Sequence, residues 1–346
     1  MPAAPPSSLE ATLARAWLRR GALACALWPL SLLFGALAAL RRALFRFDLL
    51  KSERLPVPVI VVGNIFIGGT GKTPLTIWLA ASLRAAGYHP GIISRGHGSA
   101  AAAPRLVTPD ASAAEVGDEP LLIARRTGCP VMVARARVEA GRALLAADPR
   151  VDVLIADDGL QHYALRRDIE IMLFDGRGAG NGWLLPAGPL REPVARRRDF
   201  TVVNAAGLTP ALCASVGGAP FQMRLAGAFA ERLGEPAQRV ALASLAGRRV
   251  LAAAGIGNPG RFFAMLREAG LAPAELPLPD HHDFLDRPFD GVDADVILIT
   301  EKDAVKCGQI EYLKHDPRLW VVPVTAQLDA ALAEQIVEKC RGCSPA

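Results

Sequence analysis

A chain of 346 residues, 51% hydrophobic and 21% charged, has apolar content for two ordinary domains and is not a disordered polymer. Its net charge of +5 suits an acidic partner such as a nucleotide or an anionic lipid surface, but no Lys/Arg run interleaved with aromatics supports nucleic-acid binding. The cysteines are scattered, and the one CxxC, made by Cys340 and Cys343, lacks the second ligand pair a zinc site needs, so all are expected to be free thiols.

At the N-terminus, Ser7 and Glu10 read as a capping box that opens a helical stretch running to about residue 50. Residues 21–40 carry no charge and are flanked by Arg19-Arg20 and Arg41-Arg42. Twenty helical residues span roughly 30 Å, the thickness of a bilayer core. Pro29 would kink a spanning helix. Trp17, Trp28 and Phe34 offer lipid contacts and the arginines reach head-group phosphates, so an interfacial or partly inserted helix fits best. A full span and a soluble hairpin packed on the body are the alternatives. A signal peptide conflicts with the nucleotide chemistry downstream.

The body reads as alternating strands and helices. The apolar β-branched run 57–62 predicts a strand buried on both faces, followed by a Gly-rich turn, a helix over 72–86 and a strand over 91–94, a βαβ unit. Residues 97–117, rich in Ala, Gly, Ser and Pro, are expected to form a mobile loop. A helix at 118–127, a strand at 130–133, a helix at 136–147 and strands at 151–156, 169–174 and 200–204 complete the first unit. A second βα pattern begins with strand 250–254 and helix 259–269, followed by strands 296–300 and 319–324 and helices 303–314 and 327–341. The expected divisions are a helical segment at 1–50, a nucleotide-binding α/β unit at 51–215 and a smaller α/β unit at 216–346.

Between the first strand and its helix lies Gly68-Gly69-Thr70-Gly71-Lys72-Thr73, the setting that supports a Walker A loop. Glycines let successive N–H groups turn inward onto phosphate oxygens, and the helix N-terminus adds its partial positive charge. Lys72 is expected to reach the terminal phosphates of ATP, and the Thr73 hydroxyl to ligate Mg²⁺. The loop departs from the full pattern at Phe66, where a glycine is usual, and the candidate nucleotide-binding stretch runs from Phe66 and Ile67 through Thr73. Val153-Leu154-Ile155-Ala156-Asp157-Asp158 is an apolar strand ending in two acids, as a Walker B element does, which makes Asp157 and Asp158 candidate metal ligands. Asp118, in Gly117-Asp118-Glu119-Pro120, caps a helix and is also a candidate acceptor for the proton of an attacking hydroxyl. Asp280-His281-His282-Asp283 is a weak metal site, because consecutive side chains diverge; a histidine paired with a distant carboxylate is the better expectation. Thr300-Glu301-Lys302-Asp303 reads as a helix cap plus surface charge, at the edge of a sheet where active sites form.

These motifs, with Val61-Val62-Gly63-Asn64, Ser94-Arg95-Gly96, Asp157-Asp158-Gly159-Leu160-Gln161-His162, Leu185-Pro186-Ala187-Gly188-Pro189-Leu190-Arg191-Glu192 and Thr300-Glu301-Lys302-Asp303-Ala304-Val305-Lys306, resemble the tetraacyldisaccharide 4′-kinase (lipid A 4′-kinase) family from about residue 57 to 306. The resemblance implies a fold of α/β class: a Rossmann-like P-loop NTPase domain with a parallel sheet, a smaller C-terminal α/β domain joined through a two-stranded link, and a membrane-associated N-terminal helix. It implies an ATP- and Mg²⁺-dependent transfer of phosphate to the 4′-hydroxyl of a lipid disaccharide 1-phosphate, giving lipid IVA, at the cytoplasmic face of the bacterial inner membrane; a monomer is expected. The family's catalytic Asp and His fall on Asp118 and His281, with Lys72 beside them. Asp118 would take the hydroxyl proton and His281 orient or tune it. Thr73, Glu119, Asp157 and Asp158 are then the metal candidates, and Arg191 and Asn64 the substrate-binding ones. His97 sits where the family often has Tyr. A P-loop ATPase that uses no lipid, and a scaffold with a vestigial P-loop, are the rivals; the intact Lys72-Thr73 pair speaks against the latter.

Overall fold

A computed structural model describes residues 12–13, 15–96 and 103–343. The capping box at Ser7 and Glu10, His97 and the start of the loop expected at 97–117 lie outside the described residues.

The strands, in chain order, are β1 (Val59–Gly63), β2 (Pro90–Ser94), β3 (Arg105–Leu106), β4 (Val131–Val133), β5 (Val153–Asp157), β6 (Ile169–Asp175), β7 (Phe200–Asn204), β8 (Phe221–Ala226), β9 (Phe229–Arg232), β10 (Arg239–Ala241), β11 (Val250–Ala254), β12 (Ala274–Pro277), β13 (Val296–Thr300), β14 (Leu319–Val322) and β15 (Thr325–Leu328). Among the described residues they form a nine-stranded sheet of order β15-β8-β7-β6-β1-β5-β2-β4-β3 and a six-stranded sheet of order β10-β9-β14-β13-β11-β12. The seven inner strands of the first sheet run parallel, with β3 and β15 antiparallel at its edges. β1, β2 and β5 are buried along their whole length, as expected for apolar runs covered by helices on both faces. β5 lies beside β1 with Asp157 opposite Val62. The acid-bearing end of β5 and the glycine loop after β1 therefore emerge at the same edge, where open α/β sheets bind ligands.

The sheets divide the chain differently from the expected boundary at 215/216. β8 lies beside β7 in the first sheet, and after β14 the chain returns, so that β15 and the helix Ala330–Arg341 join the first sheet. Leu332, Ile336 and Cys340 pack with Leu75 and Leu79 in one apolar cluster. The second lobe is thus β9 through β14. The helix expected at 327–341 is shortened because Thr325–Leu328 pairs with β8, and Asp329 then caps the helix by accepting from the Ala331 amide. The helix expected at 303–314 is broken into Glu301–Cys307 and Glu311–Lys314. The antiparallel pair β8–β15 links the lobes: the chain leaves through one strand and returns through the other.

The N-terminal helix, Ala22–Arg46, is the one helix among the described residues long and apolar enough to cross a membrane. One side is docked: Ser31 Oγ donates to the Leu184 carbonyl at 2.8 Å, Arg42 pairs with buried Glu192 at 3.4 Å, and Trp28 meets Trp183. The other side leaves Leu30, Leu32, Leu33, Leu37 and Leu40 more than half exposed. Pro29 lies within the helix without ending it. All six cysteines are free thiols.

Candidate active site

The glycine loop is built from its backbone outward. Gly68 and Gly71 adopt φ of +98° and +100°, a region where a β-carbon is strained. Gly71 is the N-cap of the helix Lys72–Ala85. Asn64 ties the loop down: its Nδ2 donates to the carbonyls of Phe66 (2.7 Å) and Gly68 (3.1 Å), and its Oδ1 accepts from Lys72 Nζ at 3.2 Å. The Thr70 carbonyl accepts from Asn204 Nδ2 at 3.0 Å and from Arg261 Nη1 of the second lobe at 3.2 Å. A strap supports the loop from outside, with Ile67 N donating to Pro189 O and Arg191 N to Ile65 O.

Two of the residues named from sequence take other positions. Asn64 is fully buried, and its amide is taken up by the loop carbonyls and by Lys72. The Phe66 side chain is also buried, with the Arg177 guanidinium 4.2 Å above its ring, and it stays out of the cavity that the loop faces.

That cavity, about 830 Å³, lies between the lobes. Residues 67–73, Glu119, Asp158, Arg191, His281 and Lys302 are among those that line it. Asp158 stands 3.7 Å from Lys72 and 3.9 Å from Arg191. Asp157 sits behind the wall, where its carboxylate accepts from Thr76 Oγ1 at 3.1 Å. Burial, then the nearby charges of Glu119 and Asp158, push Asp157 well above the usual carboxylate range. The lobes meet backbone to backbone here: a β-carbon built on Gly257 would lie 2.6 Å from the Gly69 amide nitrogen.

Across the cavity mouth the structure joins Asp118 and His281, with Nδ1 of His281 3.0 Å from Oδ2 of Asp118. Asp118 is 3% exposed. Burial favours its neutral form, but the His281 bond and the charges of Lys302, His281 and Lys306 outweigh this and hold it down at about 2. The same bond raises His281, against burial and Lys302. Lys302 Nζ approaches His281 Nε2 at 3.3 Å, Asp280 Oδ1 at 3.0 Å and Glu119 Oε1 at 3.3 Å.

Sequence reasoning missed several members of this cluster. Residues 300–303 were expected to carry surface charge. Instead Asp303 is buried, accepts from the Thr300 hydroxyl at 2.6 Å and from the Gly255 amide, and is pushed by burial up to about 6. Lys302 and Lys306 lie in the family-like stretch 300–306 but carry no assigned role in the sequence reading, and Arg261 is not singled out there. The one signal available was their place at the carboxyl edge of a sheet.

Residues 23–341 match the family model for tetraacyldisaccharide-1-P 4′-kinase. The chain belongs to this family. It is 64% identical to the tetraacyldisaccharide 4′-kinases of Herminiimonas arsenicoxydans and Janthinobacterium sp. (strain Marseille), with 98% of each chain covered in both comparisons. It is 55% identical to that of Acidovorax sp. (strain JS42) over 87% of each chain. A crystal structure of LpxK from Aquifex aeolicus in complex with ATP superposes with a TM-score of 0.74 at 30% identity, covering 92% of this chain and 99% of the other. The tetraacyldisaccharide 4′-kinase family phosphorylates the 4′ position of the lipid A precursor with ATP and Mg²⁺, and this chain is such a kinase.

The residues present fit both cofactors. Among the described residues, Thr70 Oγ1 and Asp158 Oδ1 are buried without a hydrogen-bond partner at the cavity wall, beside the Lys72 ammonium. Thr73, Glu119 and Asp158 bring oxygen donors to the same cavity, the ligand type Mg²⁺ takes.

Proposed function

We propose that residues 67–73 grip the triphosphate, that Thr73, Glu119 and Asp158 hold Mg²⁺ with Asp157 behind them, and that Asp118 and His281 receive the proton of the 4′-hydroxyl. The observation that carries the reading is the meeting, across one cavity, of Lys72 on the first lobe with the Asp118–His281 pair that spans both lobes. Bound Mg²⁺ would neutralise charge on the phosphates. Lys72 and the loop amides supply positive charge from a preorganised frame, where it costs no reorganisation during transfer. Arg191, a third exposed and facing the cavity beside Asp158, adds a cation for phosphate charge. The Gly257 turn of the second lobe lies against Gly69 and covers part of the nucleotide loop, and limiting water there would favour transfer to the alcohol over hydrolysis.

Within the pair, Asp118 takes the proton and His281 orients it. A second reading has an observation in its favour. His281 lines the cavity and is 33% exposed, while Asp118 is buried, so His281 could take the proton with Asp118 holding its Nδ1–H. A His281→Gln loss equal to that of Asp118→Asn favours the second reading; a much smaller loss favours the first.

The leucine face of Ala22–Arg46 gives an amphiphilic substrate a place of delivery, so we place the enzyme as a monomer on the cytoplasmic face of the inner membrane. The domain division that follows is an N-terminal helix, a P-loop lobe that includes β8, β15 and the last helix, and a lobe of β9–β14. The test is incubation with γ-labelled ATP and lipid disaccharide 1-phosphate in anionic vesicles. Label must enter the lipid, and the enzyme must float with the vesicles. Label found only in free phosphate sinks the residue roles, and an enzyme that stays in the soluble fraction sinks the membrane placement.

A further inference from the structure

His281 reaches Asp118 with a backbone φ of +60°, in the left-handed region that non-glycine residues uncommonly adopt, His less rarely than most. Lys306 holds that turn. Its Nζ donates to the carbonyl of His281 at 2.7 Å and to that of His282 at 3.1 Å, and stands 3.6 Å from Oδ2 of Asp118 on the other lobe. An ammonium has three donors, and here it meets three oxygens. The lysine comes from a fixed place. Its helix, Glu301–Cys307, is capped by the Thr300 side chain, and Asp303 one turn earlier is pinned to Thr300 and Gly255. Lys302, also one turn earlier, lines the cavity; Lys306 does not, so it is placed to act on the pair and not on substrate. The two helices that carry the parts, Asp118–Thr127 and Glu301–Cys307, pack against each other across the lobes and are cross-linked by Arg126 and Glu301.

We propose that Lys306 is a positioning residue for phosphoryl transfer: one ammonium fixes the His281 turn and draws the Asp118 carboxylate of the opposite lobe to it, so that the pair forms only with the lobes together. The inference rests on the reading of Asp118 and His281 as the proton-handling pair. It holds whichever of the two takes the proton.

The test uses the full chain with ATP and lipid disaccharide 1-phosphate, comparing Lys306→Met, Lys306→Arg, Asp118→Asn and the double variant Lys306→Met/Asp118→Asn. Lys306→Met is expected to lower kcat on the order of 10²-fold, as for a small misplacement of reacting groups, with the KM for ATP little changed. Lys306→Arg, which keeps charge and donors, recovers most of the rate. The double variant is no slower than Asp118→Asn alone, because both changes act through one pair. Wild-type kcat in Lys306→Met beside a slow Asp118→Asn overturns the lysine's role and leaves the pair standing, as do additive losses in the double variant. Wild-type kcat in Asp118→Asn overturns the pair itself. Should Lys306→Met fail to fold, Lys306→Gln takes its place: a slow enzyme with normal ATP KM supports positioning, and full kcat overturns it.

Discussion

His281 Nδ1 and Asp118 Oδ2 lie 3.0 Å apart although 163 positions separate the residues and each belongs to a different lobe. The contact exists only while the lobes are together, so the proposed proton-handling pair depends on how the lobes sit against each other. With its pKa held near 2, Asp118 is ionised throughout the working pH range and is ready to accept a hydroxyl hydrogen bond, but it is a weak base. That suits a loose phosphoryl-transfer transition state, in which the proton moves late. Asp118→Asn is therefore expected to lower kcat by about 10²- to 10⁴-fold while the KM for ATP hardly moves. A rise in ATP KM with unchanged kcat would place Asp118 in nucleotide binding instead.

The pair also links stability to pH. His281 has its pKa raised by Asp118, so its stabilisation is complete below its unfolded value near 6.5 and is lost as pH rises through the raised folded value. Asp118 has its pKa depressed, so its contribution is complete above the ordinary carboxylate range and is lost as pH falls through about 2. The Tm difference between wild type and His281→Gln should be largest at about pH 5 and shrink towards about pH 9. A difference that grows with pH contradicts the charged pair.

Asn64 bears on nucleotide affinity from behind the loop. Asn64→Ala leaves the Phe66 and Gly68 carbonyls and the Lys72 ammonium without their amide partner, a cost of about 1–3 kcal/mol for each buried group left unpaired. The expected result is a lower Tm and an ATP KM raised by about tenfold. Calorimetry of Mg·ATP binding checks it, and wild-type affinity would remove Asn64 from the loop's support.

Gly257 faces Gly69 across the lobes. Gly257→Ala adds a methyl group 2.6 Å from the Gly69 nitrogen, where backbone meets backbone and no flexible side chain can give way. Its φ is not in the left-handed region, and the tight contact within its own lobe, Asp280 Oδ2 at 3.1 Å, is a side-chain end that can shift, so the second lobe itself is little strained. The expectation is a kcat/KM lowered by about tenfold or more at nearly constant Tm, because closure and not folding is obstructed. Wild-type kcat/KM would show that this contact is dispensable.

Which features could be read from sequence follows from the range of the interactions. Gly68, Gly71, Lys72 and Thr73 are neighbours in the chain, and a strand followed by glycines and a helix start dictates their local geometry. The parallel core was legible for the same reason, as apolar runs such as 59–62 and 153–156. β8 and β15 were not: they alternate weakly, and they are strands because β8 pairs with β7 and β15 pairs with β8.

By itself, then, the sequence determined the glycine turn between β1 and its helix, the acids at the end of β5, the apolar N-terminal helix and the family resemblance. Tertiary structure alone decided that the last helix returns to the first lobe, that Asn64 faces the loop and Asp157 lies behind the cavity, and that the charges at 302, 303 and 306 point inward. Burial and partnership across 163 positions are properties of packing. A local run of residues fixes where a side chain starts; what it meets depends on which surfaces the rest of the chain brings to it.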